Sequence, residues 1–304
     1  MNQTENSTPE AGPAHRSGFV AILGRTNVGK STLLNQLLGQ KVAIVTPKPQ
    51  TTRGRILGIK TTPVAQILFL DTPGLHVPKT LINRRMVAVA ERAMAEADVL
   101  LWVVDGEVGI TGADRAVAAK LRVERRPLCV VLNKIDRLGK SALLPLLAAL
   151  GELLPGCDVV PVSAAQGTNC EELLRQIVAM LPVGPPYYDE AELTDQTERT
   201  LVQETVREQV LLQTRDEVPY AVAVTVDAFE EKPSVTVISA TIHVERASQK
   251  GILIGERGAR IKQLGQGARR ELERVLGRRV YLELFVRVQE DWTKHEARLK
   301  EFGL

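Results

Sequence analysis

Residues Gly24-Arg25-Thr26-Asn27-Val28-Gly29-Lys30-Ser31 constrain this chain more than any other stretch. They match G-x-x-x-x-G-K-[ST], and the flanking residues meet the conditions of that pattern. Phe19-Val20-Ala21-Ile22-Leu23 before it is an apolar run of strand length. Leu33, Leu34, Leu37 and Leu38 after it repeat at helical spacing, and Gly39 stands where a helix would stop. Gly24 and Gly29 let the backbone turn its N–H groups inward around a phosphate, with Arg25, Thr26, Asn27 and Val28 forming the loop between them and Thr32 closing it. The start of the helix favours the anion, Lys30 can reach the outer phosphates, and the Ser31 hydroxyl can ligate magnesium. A plain glycine turn with a surface lysine would need neither the strand nor the helix.

A length of 304 residues suggests two domains, and 44% hydrophobic residues with 25% charged supply an ordinary globular core. Cys129, Cys157 and Cys170 have no C-x-x-C spacing, so beside a nucleotide motif they read as reduced thiols of a cytosolic protein. No apolar run approaches about 18 residues, so no membrane-spanning helix is expected. Residues 1–17 are polar, carry Pro9 and Pro13 and lack a basic-then-apolar leader; they are expected to form a disordered N-terminal extension.

From residue 18 to 182 apolar runs alternate with helical patterns, which predicts an α/β domain, a mostly parallel sheet with helices on both faces. Strands are expected at Gly18–Leu23, Arg55–Thr61, Ala65–Leu70, Val99–Val104, Leu128–Leu132 and Val159–Val162. Helices are expected at Lys30–Leu38, Leu81–Ala97, Ala113–Glu124, Leu143–Leu153 and Cys170–Leu181. Pro182, Pro185 and Pro186 around Gly184 then break the pattern, and residues 183–198 read as a linker. Residues 199–304 form a smaller α+β domain: a helix near Thr200–Leu212, then alternating strands at Ala221–Val226, Thr236–Val244 and Val280–Val288. Leu282, Leu284, Val286 and Val288 are expected to be buried by the last strand, and Ile261, Leu264, Ala268 and Leu272 to make one face of a helix.

Four stretches follow the phosphate loop, each at the end of an apolar strand, where open α/β sheets bind ligands. In Asp71-Thr72-Pro73-Gly74 the aspartate can hold magnesium and the glycine amide can meet a terminal phosphate. In Asn133-Lys134-Ile135-Asp136 the Asp136 carboxylate can accept two N–H groups from guanine, which adenine does not offer, and the Lys134 stem can cover the ring. A backbone amide at Ser163-Ala164 can donate to the guanine carbonyl oxygen. Gln50-Thr51-Thr52-Arg53-Gly54 can supply a threonine to magnesium; Thr52 is the first choice and Thr51 the second.

Together these stretches resemble the GTPases of the translation-factor class. The resemblance implies phosphoryl transfer to water with Mg2+ held by Ser31, Thr52 and Asp71. Ras-type relatives carry a water-orienting glutamine where this chain has Leu75, followed by His76, a lone loop histidine that reads as merely exposed. Some GTPases with an apolar residue there position K+ through a phosphate-loop asparagine, and Asn27 stands at that place. The residues alone leave open whether Asn27 binds potassium or braces the loop.

Lys250-Gly251-Ile252-Leu253-Ile254-Gly255-Glu256-Arg257-Gly258-Ala259-Arg260-Ile261-Lys262 reads as helix, G-x-x-G loop, helix. Gly255 and Gly258 allow close approach of a sugar–phosphate chain, and Lys250, Glu256, Arg257, Arg260 and Lys262 surround them as the expected RNA contacts. Eleven Lys and Arg stand against four Glu between Arg246 and Arg287, a local net charge of +7 in a chain whose total is +3. That concentration is the electrostatic footprint of nucleic-acid binding. The unit resembles a KH domain of type II. A GTPase followed by such a domain is similar to the Era family of ribosome-assembly GTPases, over roughly residues 18–293. The family implies binding of GTP and GDP and of the 3′ end of small-subunit ribosomal RNA, and assistance to small ribosomal subunit maturation. It also implies a bacterial or organellar setting and some peripheral association with the inner face of the cell membrane; the chain itself is expected to be a cytoplasmic monomer. Glu256 departs from the basic or small residue usual in that loop. Leu75 keeps a second expectation open, a structural RNA-binding protein that holds a nucleotide with negligible turnover. A tRNA-modifying GTPase is a third, without the cysteine-bearing tail it would need.

Overall fold

A computed structural model describes residues 14–78, 80–214, 218 and 222–304. Residues 1–13 of the N-terminal extension and Ala221 of the expected second-domain strand lie outside the described residues. The six-stranded sheet of the first domain has the order β2-β3-β1-β4-β5-β6, comprising β1 (Arg16–Leu23), β2 (Ile56–Thr62), β3 (Ala65–Asp71), β4 (Val99–Asp105), β5 (Leu128–Asn133) and β6 (Asp158–Pro161). Every residue of β3 and β4 is buried, as an unbroken apolar run requires when helices cover both faces. α1 (Lys30–Leu38) and α5 (Cys170–Met180) fill one face through Leu33, Leu37, Leu173 and Ile177. α2 (Leu81–Glu96), α3 (Gly112–Leu121) and α4 (Lys140–Leu153) fill the other through Ala90, Val117, Leu121 and Leu150.

Only β2 runs antiparallel, because the tight turn from Thr62 to Ala65, closed by the Thr62 hydroxyl, leaves no length for a crossover. The first strand starts at Arg16, two residues before its expected boundary. Arg16 and Ser17 pair in register with Ala65 and Gln66, and the Ser17 N–H donates to the Pro182 carbonyl at 3.1 Å, which brings them out of the extension. α4 also starts earlier than expected, at Lys140, and takes Pro145 into its interior, where the ring removes the N–H that would meet the Ser141 carbonyl.

The second domain runs α6 (Glu198–Gln213), β7 (Ala223–Lys232), β8 (Val235–Val244), α7 (Ala247–Ile254), α8 (Ala259–Leu276) and β9 (Val280–Val288). β7 and β8 form an antiparallel hairpin and β9 joins β8 in parallel. Val202, Val206 and Val210 of α6 meet Leu264, Ala268 and Leu272 of α8 over Ile238, Ala240 and Ile242 of the sheet. Each buried valine, leucine or isoleucine among these contributes about 1.5–3 kcal/mol relative to exposure. The periodicity of β8 and of Leu264, Ala268 and Leu272 on α8 therefore reappears as the core, while Ile261, expected on the same face, is half-buried outside it. On β9 the period does not yield a core: Leu282, Leu284, Val286 and Val288 are only half-buried, because β9 is the edge strand and α8 leaves its outer side uncovered.

The linker is strapped to the first domain rather than free. The Gln66 side chain accepts the Tyr187 and Tyr188 N–H groups at 2.7 and 3.0 Å and donates to the Tyr188 carbonyl at 2.8 Å. The Ile59 N–H donates to Leu193, and the Thr194 hydroxyl to Leu57, so the strap covers the open edge of β2. After β9 the chain adds a short helix, α9 (Glu296–Glu301), for which the sequence reading has no expectation. Trp292 and Leu299 around it pack on Ile82 and Met86 of α2, and Phe302 meets the Trp292 ring edge-on at 5.0 Å.

Candidate functional site

The strand ends bring the expected nucleotide residues into one crevice, beside the point where neighbours of β1 lie on either side. Asn27 (φ +64°) and Gly29 (φ +96°) are left-handed, so the loop curls before α1 begins at Lys30. At Gly29 a Cβ would lie 2.4 Å from Asn133 Nδ2, and at Gly24 (φ +146°) 2.5 Å from the Val103 carbonyl oxygen, so any side chain would displace the loop. Lys30 is 6% exposed and its ammonium donates to the Gly24 and Arg25 carbonyls at 3.3 and 3.0 Å. Burial pushes it down to about 8; Asp71 works against that and Arg25 with it. A phosphate in the loop would favour the ammonium form and oppose that lowering.

Ser31, Thr52 and Asp71 converge. The Ser31 hydroxyl donates to Asp71 Oδ2 at 2.5 Å and lies 2.9 Å from the Thr52 hydroxyl, which is 3.4 Å from the same carboxylate oxygen. Asp71 is fully buried; burial raises its carboxyl above the usual range, and Lys30 and the two hydroxyls pull the other way. Its Oδ1 is buried without a hydrogen-bond partner. An orphaned carboxylate oxygen beside two hydroxyls is an all-oxygen set that fits Mg2+. Thr51, the second choice, is turned away: its hydroxyl pairs with Thr46 at 2.7 Å and donates to the Lys48 carbonyl. Thr72 donates to the Ile22 carbonyl, which pins Pro73 and Gly74 over the phosphate loop. A Cβ on Gly74 would sit 2.6 Å from the Thr26 nitrogen, so only glycine fits. The Leu75 N–H donates to the Gly24 carbonyl at 3.0 Å and its side chain is buried, which leaves nothing there to hold a water. His76 is not simply exposed: Nδ1 meets the Gly74 carbonyl at 2.7 Å and Nε2 is buried.

The guanine residues are linked by their own bonds. Asn133 Nδ2 donates to the Val28 carbonyl at 2.9 Å and its Oδ1 accepts the Ala164 N–H at 3.0 Å. Asn133 and Ala164 thus brace the phosphate loop against the β6 loop, beside the Ser163-Ala164 amides that the sequence offers to the guanine carbonyl. The Ser163 hydroxyl donates to Asp136 Oδ1 at 2.6 Å and orients the carboxylate. Lys134 (φ +65°) is fixed by Asp105, 2.6 Å from its ammonium. The sequence reading misses Asp105 and Asp114, which also receive Arg25, at 3.8 and 3.3 Å. Asp105 carries the same signal as Asp71, an aspartate closing an apolar strand.

Of the switch residues, Gln50 (φ +61°) lines the phosphate crevice, while Arg53 points elsewhere. Arg53 is buried and donates to the Val222 carbonyl of the second domain at 2.6 Å; Gly54 lines the interdomain space beside it. The whole segment is held by α6. Glu208 accepts the Val45 N–H at 2.9 Å and the Lys41 ammonium at 2.6 Å, Arg207 donates to the Thr51 carbonyl at 2.6 Å, and Lys48 reaches the Thr214 carbonyl. Lys41 also meets Glu271 of α8 at 2.8 Å. Burial works against the Lys41 ammonium, but Glu208 and then Glu271 hold it above the usual lysine range.

In the second domain Gly255 (φ +70°), Arg257 (φ +50°) and Gly258 (φ +80°) turn the chain between α7 and α8. A Cβ on Gly255 would lie 2.8 Å from the Arg260 Cβ. Glu256, Arg260 and Lys262 are exposed on this turn and the first turn of α8, with Lys250 half-buried behind on α7. A cleft of about 320 Å3 runs from there along β9, lined by Ile261, Lys262, Gly265, Gln266, Arg269, Leu282 and Leu284. Half-burial of β9 is what opens this cleft. An apolar floor with a basic rim accepts unstacked bases and their phosphates. The sequence reading misses Arg269 and the two leucines as cleft residues because alternation cannot distinguish a core face from a cleft wall.

Two family models match: the 50S ribosome-binding GTPase model over residues 19–134 and the KH domain model over residues 217–293. GTPase Era of Geotalea daltonii is 48% identical over 94% of this chain and 97% of its own length. GTPase Era of Geobacter metallireducens is 47% identical over 95% and 97%. A crystal structure of Era in complex with MgGDPNP and nucleotides 1506–1542 of 16S ribosomal RNA superposes with a TM-score of 0.92 at 42% identity, covering 95% of this chain and 99% of that one. A variant of Aquifex aeolicus Era bound to GDP and AlF4− gives the same score, identity and coverage. With this identity over nearly the whole of both chains, on a phosphate-loop domain joined to a KH domain, the chain belongs to the Era family of GTPases.

Proposed function

We propose that this chain binds GTP between the phosphate loop and Asp136, hydrolyses it to GDP and phosphate, and holds the 3′-terminal region of small-subunit ribosomal RNA in its KH cleft during assembly of the small subunit. The observation that carries the reading is the docked switch segment. One loop presents Thr52 to Ser31 and Asp71 on one side and is bonded through Val45, Thr51 and Arg53 to the RNA-binding domain on the other. The relative solved with MgGDPNP and 16S nucleotides supports the same pairing of ligands.

Lys30 and the loop amides hold the outer phosphates, Asp136 reads the two N–H groups of guanine, and Lys134, fixed by Asp105, covers the ring. Magnesium held by Ser31, Thr52 and Asp71 supplies positive charge to the phosphoryl oxygens. Leu75 contributes no polar group to the attacking water, so further positive charge has to come from elsewhere. Asn27 is the candidate for a potassium site: its Nδ2 donates to the Pro47 carbonyl of the switch loop at 2.9 Å, and its amide oxygen is the atom that would meet the ion. The RNA lies across Gly255–Gly258, with Lys262 and Arg269 on its phosphates and Leu282 and Leu284 under its bases. Among the described residues no helix is long and apolar enough to cross a membrane. A peripheral seat on the membrane's inner face would use α4, whose Leu144 is 74% exposed. One chain carries both the nucleotide and the RNA residues, in keeping with action as a monomer.

A crosslinking map of bound RNA in cells tests the reading. Crosslinks at the 3′ end of small-subunit ribosomal RNA support it; crosslinks concentrated on transfer RNA overturn it.

A further inference from the structure

Two cations from different parts of the nucleotide site turn toward one carboxylate. Asp105 closes β4, is 2% exposed and pairs in register with Asn133, where the base-reading loop begins. Its Oδ1 accepts the Glu107 and Val108 N–H groups at 3.0 and 3.3 Å, which fixes the carboxylate on its own turn. Its Oδ2 takes the Lys134 ammonium at 2.6 Å. Arg25 of the phosphate loop stands by the same oxygen, with Nη2 at 3.8 Å, close enough for charge attraction but beyond a hydrogen bond. Arg25 is itself held by the buried Asp114 at 3.3 Å, and Asp114 by the Thr111 hydroxyl at the start of α3. Two carboxylates thus face two cations, and the group adds no net charge beside Lys30.

Lys134 needs such a grip. Its φ of +65° is a left-handed backbone that a residue with a long side chain keeps only where its surroundings impose it. Its side chain is 24% exposed, so without a partner the ammonium would turn to water and take the stem with it. Ordering a free lysine chain costs rotamer freedom, and Asp105 has that chain ordered before a nucleotide arrives.

We infer that Asp105 is a positioning residue for the guanine ring: acting through Lys134, it sets the affinity for GTP and GDP alike and leaves the hydrolytic step alone. This role rests on the nucleotide reading proposed above and deepens it. GTP and GDP present the same base to Lys134, so loss of Asp105 weakens both by one factor. The terminal phosphate is served by Lys30, Ser31 and Asp71, none of which bonds to Asp105.

The test starts from the unaltered full chain with Mg2+, whose affinities for GDP, a non-hydrolysable GTP analogue and ATP are measured by fluorescence. Absence of a preference for guanine nucleotides there overturns the nucleotide reading and this role with it. Asp105→Asn keeps Oδ1 for the turn and sets an amide N–H group against Lys134. Affinities for GDP and the analogue should each fall about tenfold or more, by a common factor. KM for GTP should rise with them, while kcat at saturating GTP stays within about twofold. A double variant separates positioning from mere stability. Lys134→Met keeps most of the stem and removes the ammonium, so adding Asp105→Asn to it should cost no more than about twofold further. Asp105→Ser, whose hydroxyl can still accept from the turn, takes the place of Asp105→Asn in this cycle if that variant does not melt cooperatively. Unchanged GDP affinity in the folded single variant, a loss confined to kcat, or penalties that multiply in full in the double variant each overturn the role, with guanine recognition by Asp136 left standing.

Discussion

Glu208→Ala should uncouple the nucleotide from the RNA. Glu208 is 2% exposed and is the one residue of α6 that takes both a backbone N–H and a side-chain charge from the switch segment, Val45 at 2.9 Å and Lys41 at 2.6 Å. Hydrogen bonds to a charged group contribute about 1.5–3 kcal/mol, and a buried N–H left unpaired costs about 1–3 kcal/mol. Lys41 keeps Glu271 as a partner, so its own loss is partial. The sum, about 2–4 kcal/mol, matches or exceeds the roughly 1–3 kcal/mol, or 5- to 150-fold, of ordinary coupling between two sites. In the unaltered chain a non-hydrolysable GTP analogue should tighten RNA binding relative to GDP, and linkage requires RNA to tighten the analogue by the same factor. In Glu208→Ala that ratio should fall to within about twofold of one. Glu208→Gln keeps an acceptor for Val45 and should fall between. The assay is RNA affinity by fluorescence anisotropy with the analogue, with GDP and with no nucleotide, on variants whose melting is cooperative. An undiminished ratio in Glu208→Ala would refute the claim that α6 reads the switch through this residue. Three equal affinities in the unaltered chain would refute coupling altogether.

Replacing Asp136 with Asn should move base preference from guanine toward xanthine, measured by competition; Asn still accepts from Ser163, so the loop should survive. If ATP competes as well as GTP in the unaltered protein, the guanine reading fails. Hydrolysis should require Mg2+ and run faster in potassium than in sodium at matched ionic strength; equal rates would remove the Asn27 site and leave the magnesium residues standing. Glu256→Asp with Arg257→Asp should abolish RNA binding with GTP hydrolysis nearly intact, since Asp tolerates the left-handed φ of +50° at position 257. RNA affinity of the unaltered chain should fall with salt, at a log–log slope of about −0.7 per phosphate contacted. Finally, hydrogen bonds from Arg274, and then Lys41, hold the Glu271 carboxyl down to about 2, against burial that pushes it up, from an ordinary 4.5. A lowered folded value means that its contribution is present above about pH 4.5 and lost as pH falls toward 2, so X-ray scattering should show the domains loosening in that window. Glu271→Gln should remove that part of the transition.

The sequence by itself determined the local chemistry. Gly24, Gly29 and Lys30 specify a phosphate loop wherever a strand and a helix flank them, because the needed φ values and the N–H groups belong to the loop itself. Asp71, Asp136 and the Gly255–Gly258 turn were legible for the same reason: each follows an element whose periodicity is written in adjacent residues. Alternation and helical spacing placed the cores of β8 and α8 because burial there follows from local period. The tertiary structure alone decided what depends on residues far apart in the chain. Thr52 rather than Thr51 faces Asp71 because α6, over 150 positions away, takes the Thr51 carbonyl through Arg207. Arg53 leaves the crevice because Val222 offers it a carbonyl. The Ala164 amide turns to Asn133 because two strand ends meet. Leu282 and Leu284 line a cleft rather than a core because β9 happens to be an edge. α9 has too few residues to show a period, and it is held by α2 from the other domain. Local pattern encodes which way a side chain faces along its own element; what it meets there is set by packing between elements, which no local pattern contains.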